Sequence, residues 1–450
     1  MQIIADLHLH SRYSRAVSQQ MDLQNNAMWA TKKGISLITT ADWTHPIWFK
    51  EISTHLQETA EGLYQIKDNK QVSFLLTTEI SSIYSQGGKV RRIHTLVFSP
   101  SLSTCTKIVK ELQKRGANLM ADGRPIIGLS AQDLLKLCLE IDSKVLLVPA
   151  HAWTPWFSIY GSNSGFDSLS ECFGNLADNI YAVETGLSSD PIMNWQIKEL
   201  DTRSIISFSD AHSGPKLGRE ATVFVPNLQT RQPANLQSFS YNDIVAAIKQ
   251  QPDAKLKIGY TIEFFPEEGK YHWSGHRDCG IRYSPQEVKE KGVVCPVCQR
   301  KLTIGVENRV LDLAHKKLPD EDLHFAPNAV GTTFVYDKAK TKPPFVSLVP
   351  LLEVLLEINN NSAAKSSVAY EQLVASLGTE FDILLKKPYE EIASVAGEKV
   401  AGAIMLIRSR KVKVDPGFDG VFGKVTIFSD NANSKQTPAQ SSENQLDLFS

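Results

Sequence analysis

The segment QIIADLHLHS sets His8 and His10 two residues apart. In an extended strand, positions i and i+2 face the same way, so both imidazoles can reach one metal ion. Residues of the same kind return at the ends of later apolar runs. Asp42 and His45 follow GISLITT, Glu79 ends SFLLTTE, His94 opens IHTLVFS and His151 ends VLLVPAH. Asp210 and His212, again two apart, end SIISFSDAH. A lone HxH pair also arises on solvated strands, and any single member of this series would read as an ordinary core or surface residue. Recurrence at consecutive strand ends changes the balance, because ionisable groups gathered in one place are costly without a cation between them. Imidazole and carboxylate donors suit Zn, Mn or Fe alike. Metals a few ångströms apart can bind phosphate oxygens, lower a water's pKa from ~15.7 to roughly 7 and steady a leaving oxygen. No Ser or Cys nucleophile is then needed. Glu184 ends a further strand and is read as a supporting group.

The elements that must position these residues fill the first half of the chain. Short runs rich in Ile, Val and Leu alternate with helix-like stretches at 21–33, 104–116, 130–140 and 190–200. Such alternation predicts βα units and a parallel sheet or barrel. Polar residues at the carboxyl ends of the strands are where α/β barrels collect their chemistry.

A second donor set lies in HWSGHRDCGIRYSPQEVKEKGVVCPVCQRKL. His276 and Cys279, then Cys295 and Cys298, form two short-spaced pairs, the spacing of a closed structural zinc site. His272 is the alternative to His276 as fourth ligand. Metal binding worth ~10–16 kcal/mol would fold a segment too poor in apolar residues to fold alone. Cys105, Cys138 and Cys172 are scattered and read as buried thiols.

The chain has 450 residues, 42% of them hydrophobic and 22% charged, with a formal net charge of −1. This length predicts two to four domains. The near-neutral total argues mildly against a nucleic-acid binder, yet KVRR at 89–92 and RSRKVK at 408–413 are local basic clusters. No signal peptide pattern follows Met1 and no apolar run approaches the roughly 20 residues of a membrane span, so a cytoplasmic protein with no membrane partner is expected.

The series HLH, an Asp in the second motif, the Glu, the lone His residues and a final DAH resembles the PHP superfamily. The resemblance implies a distorted (β/α)7 barrel in an α/β fold. It also implies two or three active-site divalent metals (Zn2+, Mn2+ or Fe2+), with Mg2+ as a further ion for activity. Carried onto this chain, the ligands are His8, His10, Asp42, Glu79, His94, His151, Asp210 and His212, with Asp210, His212 and Glu79 central to catalysis. The second motif reads ADWTH where the superfamily has TDH, which displaces its histidine to position 45.

Longer stretches, HAWTPWFSIYGSNSGFDS, SDAHSGPKLGREA, EFFPEEGKYHWSGHRDC and PVCQRKLTIGVENRV, resemble the endonuclease Q family of DNA-repair nucleases over residues 1–428. That resemblance implies hydrolysis of the phosphodiester 5′ to deaminated bases (uracil, hypoxanthine, xanthine) and to abasic sites. The expected organisation is a barrel over 1–260, a small zinc-binding module over 261–312 and a linker over 313–345. A helical, helix-hairpin-helix-like DNA-binding domain over 346–428 and a disordered tail over 429–450 complete it. Two competing readings are a small-molecule phosphatase and a non-catalytic DNA-binding scaffold.

Reaching a lesion requires the base to leave the stack, and aromatic walls receive it. Trp153, Trp156, Phe157 and Tyr160 follow His151 and are candidates for that wall, although aromatic runs at a barrel rim pack as core about as often. Arg408, Arg410, Lys411 and Lys413 are candidates for phosphate contact. The polar tail closes on Gln445, Leu446, Asp447, Leu448 and Phe449. This pentapeptide is similar to the one by which bacterial replication and repair proteins hold the sliding clamp. The expected partners are damaged DNA and that clamp, in a cytoplasmic, nucleoid-associated setting.

Overall fold

The computed structural model describes residues 2–67, 69–230 and 239–428. Seven strands make a distorted barrel. Their order around it is Ile3–Asp6, Leu37–Thr39, Asn69–Gln86, Lys89–Ser99, Leu146–Pro149, Ala182–Glu184 and Ser204–Ile206. The first three run parallel to one another. Lys89–Ser99 is antiparallel to both its neighbours, and Ala182–Glu184 is parallel to Ser204–Ile206. A hydrogen bond from Ala152 N to Glu184 O carries the ring onward, and a bridge between Leu9 and Ala211 closes it. The alternation in the sequence predicts parallel βα units throughout. One unit is instead a long hairpin with Gly87 and Gly88 at its turn, both at positive φ, which removes a crossover helix and distorts the barrel.

Helices pack outside this ring because their apolar faces match the sheet. Leu23–Lys33 starts at Asp22, whose side chain accepts from Asn25 N, and stops at Gly34 in the left-handed region, φ 88°. Ala131–Ile141 is capped by Ser130 in the same way and buries Leu134, Leu135 and Cys138. Cys105, Cys138 and Cys172 are buried free thiols.

Strands Ala221–Pro226 and Leu256–Glu263 extend the sheet antiparallel from Ile3–Asp6. Residues 313–345, read from their charge and prolines as a linker, carry more of it. Leu323–Pro327 and Thr333–Asp337 form a hairpin that continues through Phe345–Ser347 onto Leu256–Glu263. The prolines sit at strand ends (Pro327) and just before a strand (Pro344), where a missing N–H costs no ladder bond.

The C-terminal region holds five helices between Leu351 and Arg408. It is locked to the barrel by Lys33 and Glu380, 2.8 Å apart and almost wholly buried. Glu380 also accepts from Tyr370 Oη and Leu351 N, so its lone pairs are filled as a buried charge requires. Tyr389–Ala396 and Glu398–Arg408 form a helical hairpin about Gly397, φ 83°. A short hairpin, Lys413–Asp415 with Lys424–Thr426, then folds back on the cysteine-bearing module. Among the described residues, no helix is long and apolar enough to cross a membrane.

Arg408 is not available to a phosphate. It is 1% exposed, and its guanidinium donates to the carbonyls of Ile383, Leu384, Lys387 and Val330, finishing the helix Glu380–Leu385. Arg410 is half-buried over the rings of Phe265 and Phe345 and donates to Ser347 Oγ. Lys411 and Lys413 are exposed. The basic run is therefore split. Its first two members hold the helical domain to the sheet, and only the lysines face solvent.

Candidate metal centre and substrate site

His8, His10, His151 and Asp210 lie just past strand ends, whereas Glu79 and His94, expected at strand ends, sit mid-strand on the two arms of the long hairpin. Local sequence explains why these segments converge. Asp6 is wholly buried and accepts from Ser209 N, Ser209 Oγ and Gly218 N, which ties the segment bearing Asp210 beneath the segment bearing His8. Burial pushes the Asp6 carboxyl up to about 6 despite these donors. Asp42, His151 and Asp210 all adopt positive φ (39°, 31° and 46°), which costs a non-glycine residue about 1–3 kcal/mol. That strain is held by the surrounding hydrogen bonds and aims the side chains inward.

Two donor groups result. His8, His10 and Asp210 form one, and Glu79, His94 and His151 form the other, each with its donor atoms within 4.8 Å of one another. Glu79 lies between them. Its Oε1 is 2.5 Å from His94 Nδ1 and 3.1 Å from His151 Nε2. Its Oε2 is 3.4 Å from His10 Nε2 and 3.8 Å from His8 Nε2. A carboxylate set this way can bridge two cations.

The tautomers follow from the partners. His8 Nδ1 lies 2.9 Å from Glu184 Oε1, and a carboxylate only accepts, so Nδ1 carries the proton. His8 Nε2 is then left buried with no hydrogen-bond partner, beside Glu79 and Asp210. His10 is likewise backed by a carboxylate, with Nδ1 3.3 Å from Asp42 Oδ1, but its Nε2 is engaged by Asp210 Oδ1 at 3.0 Å. An imidazole oriented by a carboxylate behind it, with a free nitrogen in front, is the usual form of a metal ligand. The buried, partnerless nitrogen and the converging carboxylates show that these residues fit divalent cations.

Electrostatics agree. Burial alone would raise the Glu79 carboxyl, but His94, Arg124, His151 and His8 outweigh it and hold it well below the usual range. Asp210 is likewise held low by His8, His212 and His10 against its burial. His8 is raised well above its ordinary value by Glu184 and Asp210 against desolvation, and His10 to about 9 by Asp210 and Asp42. The negative charge is thus real at neutral pH, and cation binding there must displace protons.

Three residues named from the series stand differently. Asp42 lies outside both donor groups: its Oδ2 accepts from Ser11 N, Ser11 Oγ and Ser14 Oγ at 2.6–2.8 Å, so it orients His10 instead of facing a cation. His212 also lies outside them, with Nδ1 2.9 Å from the Asp210 carbonyl and its ring edge-on to His10 at 4.8 Å. His45 caps the helix Pro46–His55 and stacks on Tyr13. The ADWTH insertion therefore turned the motif's histidine into a helix cap.

Arg124 is a site residue that the sequence reading missed. Its Nη1 donates to Glu79 Oε2 at 3.1 Å. The turn that carries it is pinned over the site, with Gly123 N donating to Tyr13 O and Ser81 N to Pro125 O. A Cβ at Gly123 would strike the Asp42 carboxylate, so only glycine lets this backbone approach. The stretch DGRP carries no metal-like spacing, and nothing in it signals this placement.

The aromatic run divides. Trp153 and Tyr160 are buried (1% and 0% exposed), stack at 4.6 Å and bond to Asn194 and Glu199, so they support the loop from beneath and form no pocket wall. Trp156 and Phe157 are half-buried at the rim. Phe157 lies 4.8 Å from the His94 ring, and Trp156 meets Tyr271 at 5.8 Å.

In the second module, His276, Cys279, Cys295 and Cys298 bring four donors together. His272 is engaged elsewhere, with Nδ1 at Ser188 O and Nε2 near Glu307, which leaves His276 as the fourth donor.

Close to Glu184, which backs His8, Glu220 and Glu263 are buried together where strands Ala221–Pro226 and Leu256–Glu263 begin to pair. Burial, and for Glu220 the neighbouring carboxyls, raises both; Glu263 is pushed up to about 8 although Ser207 and Thr261 donate to it. A carboxyl held protonated in the fold but ionised in the unfolded chain favours folding fully below its unfolded value. That contribution is lost as pH rises through the folded one. The loss therefore spans pH 4.5 to about 8. Glu263→Gln should flatten the dependence of the thermal midpoint on pH over this window and raise it by roughly 3 °C at pH 9. Parallel curves for the two proteins would contradict this assignment.

Barrel, paired His and carboxylate donors at its mouth, and a Cys3His module beside it define a PHP-type protein. Residues 350–411 match the family described as the MJ0043 C-terminal domain. The uncharacterized protein YqxK of Bacillus subtilis (strain 168) is 27% identical over 443 residues, 94% of this chain and 99% of its own length. The crystal structure of the lesion-specific endonuclease PfuEndoQ from Pyrococcus furiosus is 30% identical with a TM-score of 0.77, covering 94% of this chain and 95% of that one. An endonuclease Q complex with a 27-mer duplex carrying an abasic lesion at the active site matches with a TM-score of 0.78 at the same identity. The chain belongs to the endonuclease Q family.

Proposed function

We propose that the protein is a metal-dependent DNA-repair endonuclease. It hydrolyses the phosphodiester 5′ to deaminated bases (uracil, hypoxanthine, xanthine) and to abasic sites. The observation that carries this reading is Glu79, set between two donor groups in a chain that matches endonuclease Q structures over 94% of its length. When bound, two or three divalent metals would polarise the phosphodiester and activate water. His8, His10 and Asp210 would hold one, and His94 and His151 another, with Glu79 serving both. Glu184 and Asp42 keep the two N-terminal imidazoles in the tautomer a metal needs. Arg124 adds a cation facing the site, suited to the charge of a phosphodiester. Trp156 and Phe157 supply a rim against which a displaced base can stack. The four donors of the second module would hold a structural zinc, and Lys411 and Lys413 would meet the DNA backbone.

A panel of duplexes containing uracil, hypoxanthine or an abasic site tests the reading, with undamaged DNA and p-nitrophenyl phosphate as controls. Incision 5′ to a lesion is expected. Hydrolysis of the aryl phosphate alone would point to a small-molecule phosphatase, and no hydrolysis of any substrate to a scaffold.

Gln445–Phe449 lie outside the described residues. We take this pentapeptide as a tether to the bacterial sliding clamp that raises the enzyme's local concentration on replicating DNA in the nucleoid. Deleting 445–450 should abolish clamp capture in a pull-down and leave cleavage of naked oligonucleotides unchanged. Undiminished capture by the truncated protein would refute the tether.

A further inference from the structure

The hairpin Lys413–Asp415 with Lys424–Thr426 exposes two adjacent apolar side chains at its tip. Phe422 is 53% and Val421 41% exposed. Single exposed apolar residues on a surface are ordinary, but these two are held rigidly outward. Phe418 and Val421 exchange backbone hydrogen bonds across the turn. Gly417 N, Gly420 N and Gly423 N donate to Glu267 O, Lys270 O and Glu268 O at 2.8–3.0 Å. Asp419 accepts from Arg277 N and Thr303 Oγ1. A Cβ at Gly423 would strike the Glu267 carbonyl, so the glycines are what allow this close seating. A loop anchored at so many points spends no ordering entropy when a partner arrives.

Charge and position indicate the partner. Lys270 Nζ sits 4.4 Å over the Phe422 ring, and Lys424 is exposed beside it. The tip's own carboxylate, Asp419, is turned inward by its two donors. The outward face is thus apolar flanked by cations, which suits a polyanion with an apolar interior. The tip also lies beside the rim of the candidate site. Tyr271, which meets Trp156 of the rim, lies 3.8 Å from where a Cβ on Gly420 would stand.

We propose that Val421 and Phe422 form a wedge that enters the base stack of duplex DNA beside the displaced nucleotide. The inference rests on the nuclease reading and adds to it a second contact, distinct from the metal centre. Apolar side chains inserted at a base step unstack it at a cost of a few kcal/mol and kink the duplex, which exposes the flanking backbone. Lys270 would neutralise phosphate at the kink.

The test pairs Val421→Ala/Phe422→Ala with the wild type on an oligonucleotide with 2-aminopurine beside an abasic-site analogue. Both side chains are exposed, so unchanged thermal midpoints are expected. Loss of base–aromatic stacking predicts cleavage of the duplex about tenfold slower or more, cleavage of the same strand unpaired unchanged, and loss of the 2-aminopurine fluorescence rise on binding. Equal effects on both substrates, no effect on either, or a retained fluorescence rise would overturn the wedge. A wild type that binds and raises the fluorescence but cuts nothing would sink the nuclease reading while the wedge stands. Absence of any DNA binding would overturn both.

Discussion

Glu79→Gln is expected to reduce cleavage of an abasic duplex by about 10³-fold or more and to lower the bound divalent metal by at least one ion per chain. The size follows from position. Oε1 faces His94 and His151, and Oε2 faces His10, His8 and Arg124, so one carboxylate serves both donor groups. Glutamine keeps the shape but removes the charge and turns an N–H2 toward one group. The histidines and Arg124 would then face one another with little to offset them, which disfavours any cation between them. DNA affinity should fall much less than the rate, because the exposed Lys411 and Lys413 and the rim residues Trp156 and Phe157 are untouched by the substitution. Metal analysis beside single-turnover cleavage reads both quantities. A variant with a full metal complement and a rate within about tenfold of wild type would show that Glu79 bridges nothing.

Part of the donor set was legible from local pattern. His8 and His10, two apart, flank Leu9 just past the strand Ile3–Asp6, and His151 and Asp210 follow strand ends. Glu79 and His94 also read as strand-end residues, but both lie mid-strand on the two arms of the long hairpin, whose length the sequence did not announce. Contacts between distant segments were not legible. Asp42 lies behind His10 because Ser11 and Ser14 occupy its second oxygen, and no pattern in ADWTH announces that. Arg124 arrives on a turn whose register is set by Ser81 and Tyr13. Trp153 and Tyr160 read equally well as pocket or core, and packing against Asn194 and Glu199 decided for core. RSRKVK looked like one basic face, yet the end of a helix turns Arg408 inward and leaves Lys411 outside. In 313–345 the prolines suggested a breaker. Their places at strand ends, where they are harmless, depend on partners that the segment does not announce: Thr333 opposite Pro327, and Thr261, 84 residues earlier, opposite Phe345.

Cys295→Ala is expected to unfold the second module while the barrel keeps its fold and its own metals. Cys295 is wholly buried, and the apolar cluster around it has only Tyr283, Val288 and Leu302 as further buried members. Four buried side chains make too small a core to order some thirty residues alone. A zinc held at His276, Cys279, Cys295 and Cys298 would supply binding energy of the kind that folds comparable small modules. Removing one ligand should therefore cost one zinc per chain and open 277–301 to proteases. The barrel does not depend on this module, since its ring closes through Ala152, Glu184, Leu9 and Ala211. The hairpin 413–426 depends on it in part, because Asp419 at its tip accepts from Arg277 N and Thr303 Oγ1, at the two ends of the segment that the zinc would order. Duplex cleavage should fall with it, while an unpaired strand, which needs no wedge, should be cut at close to the wild-type rate. Retained zinc and unchanged protease resistance in the variant would mean that the four donors come together without a metal and that the module's stability has another source.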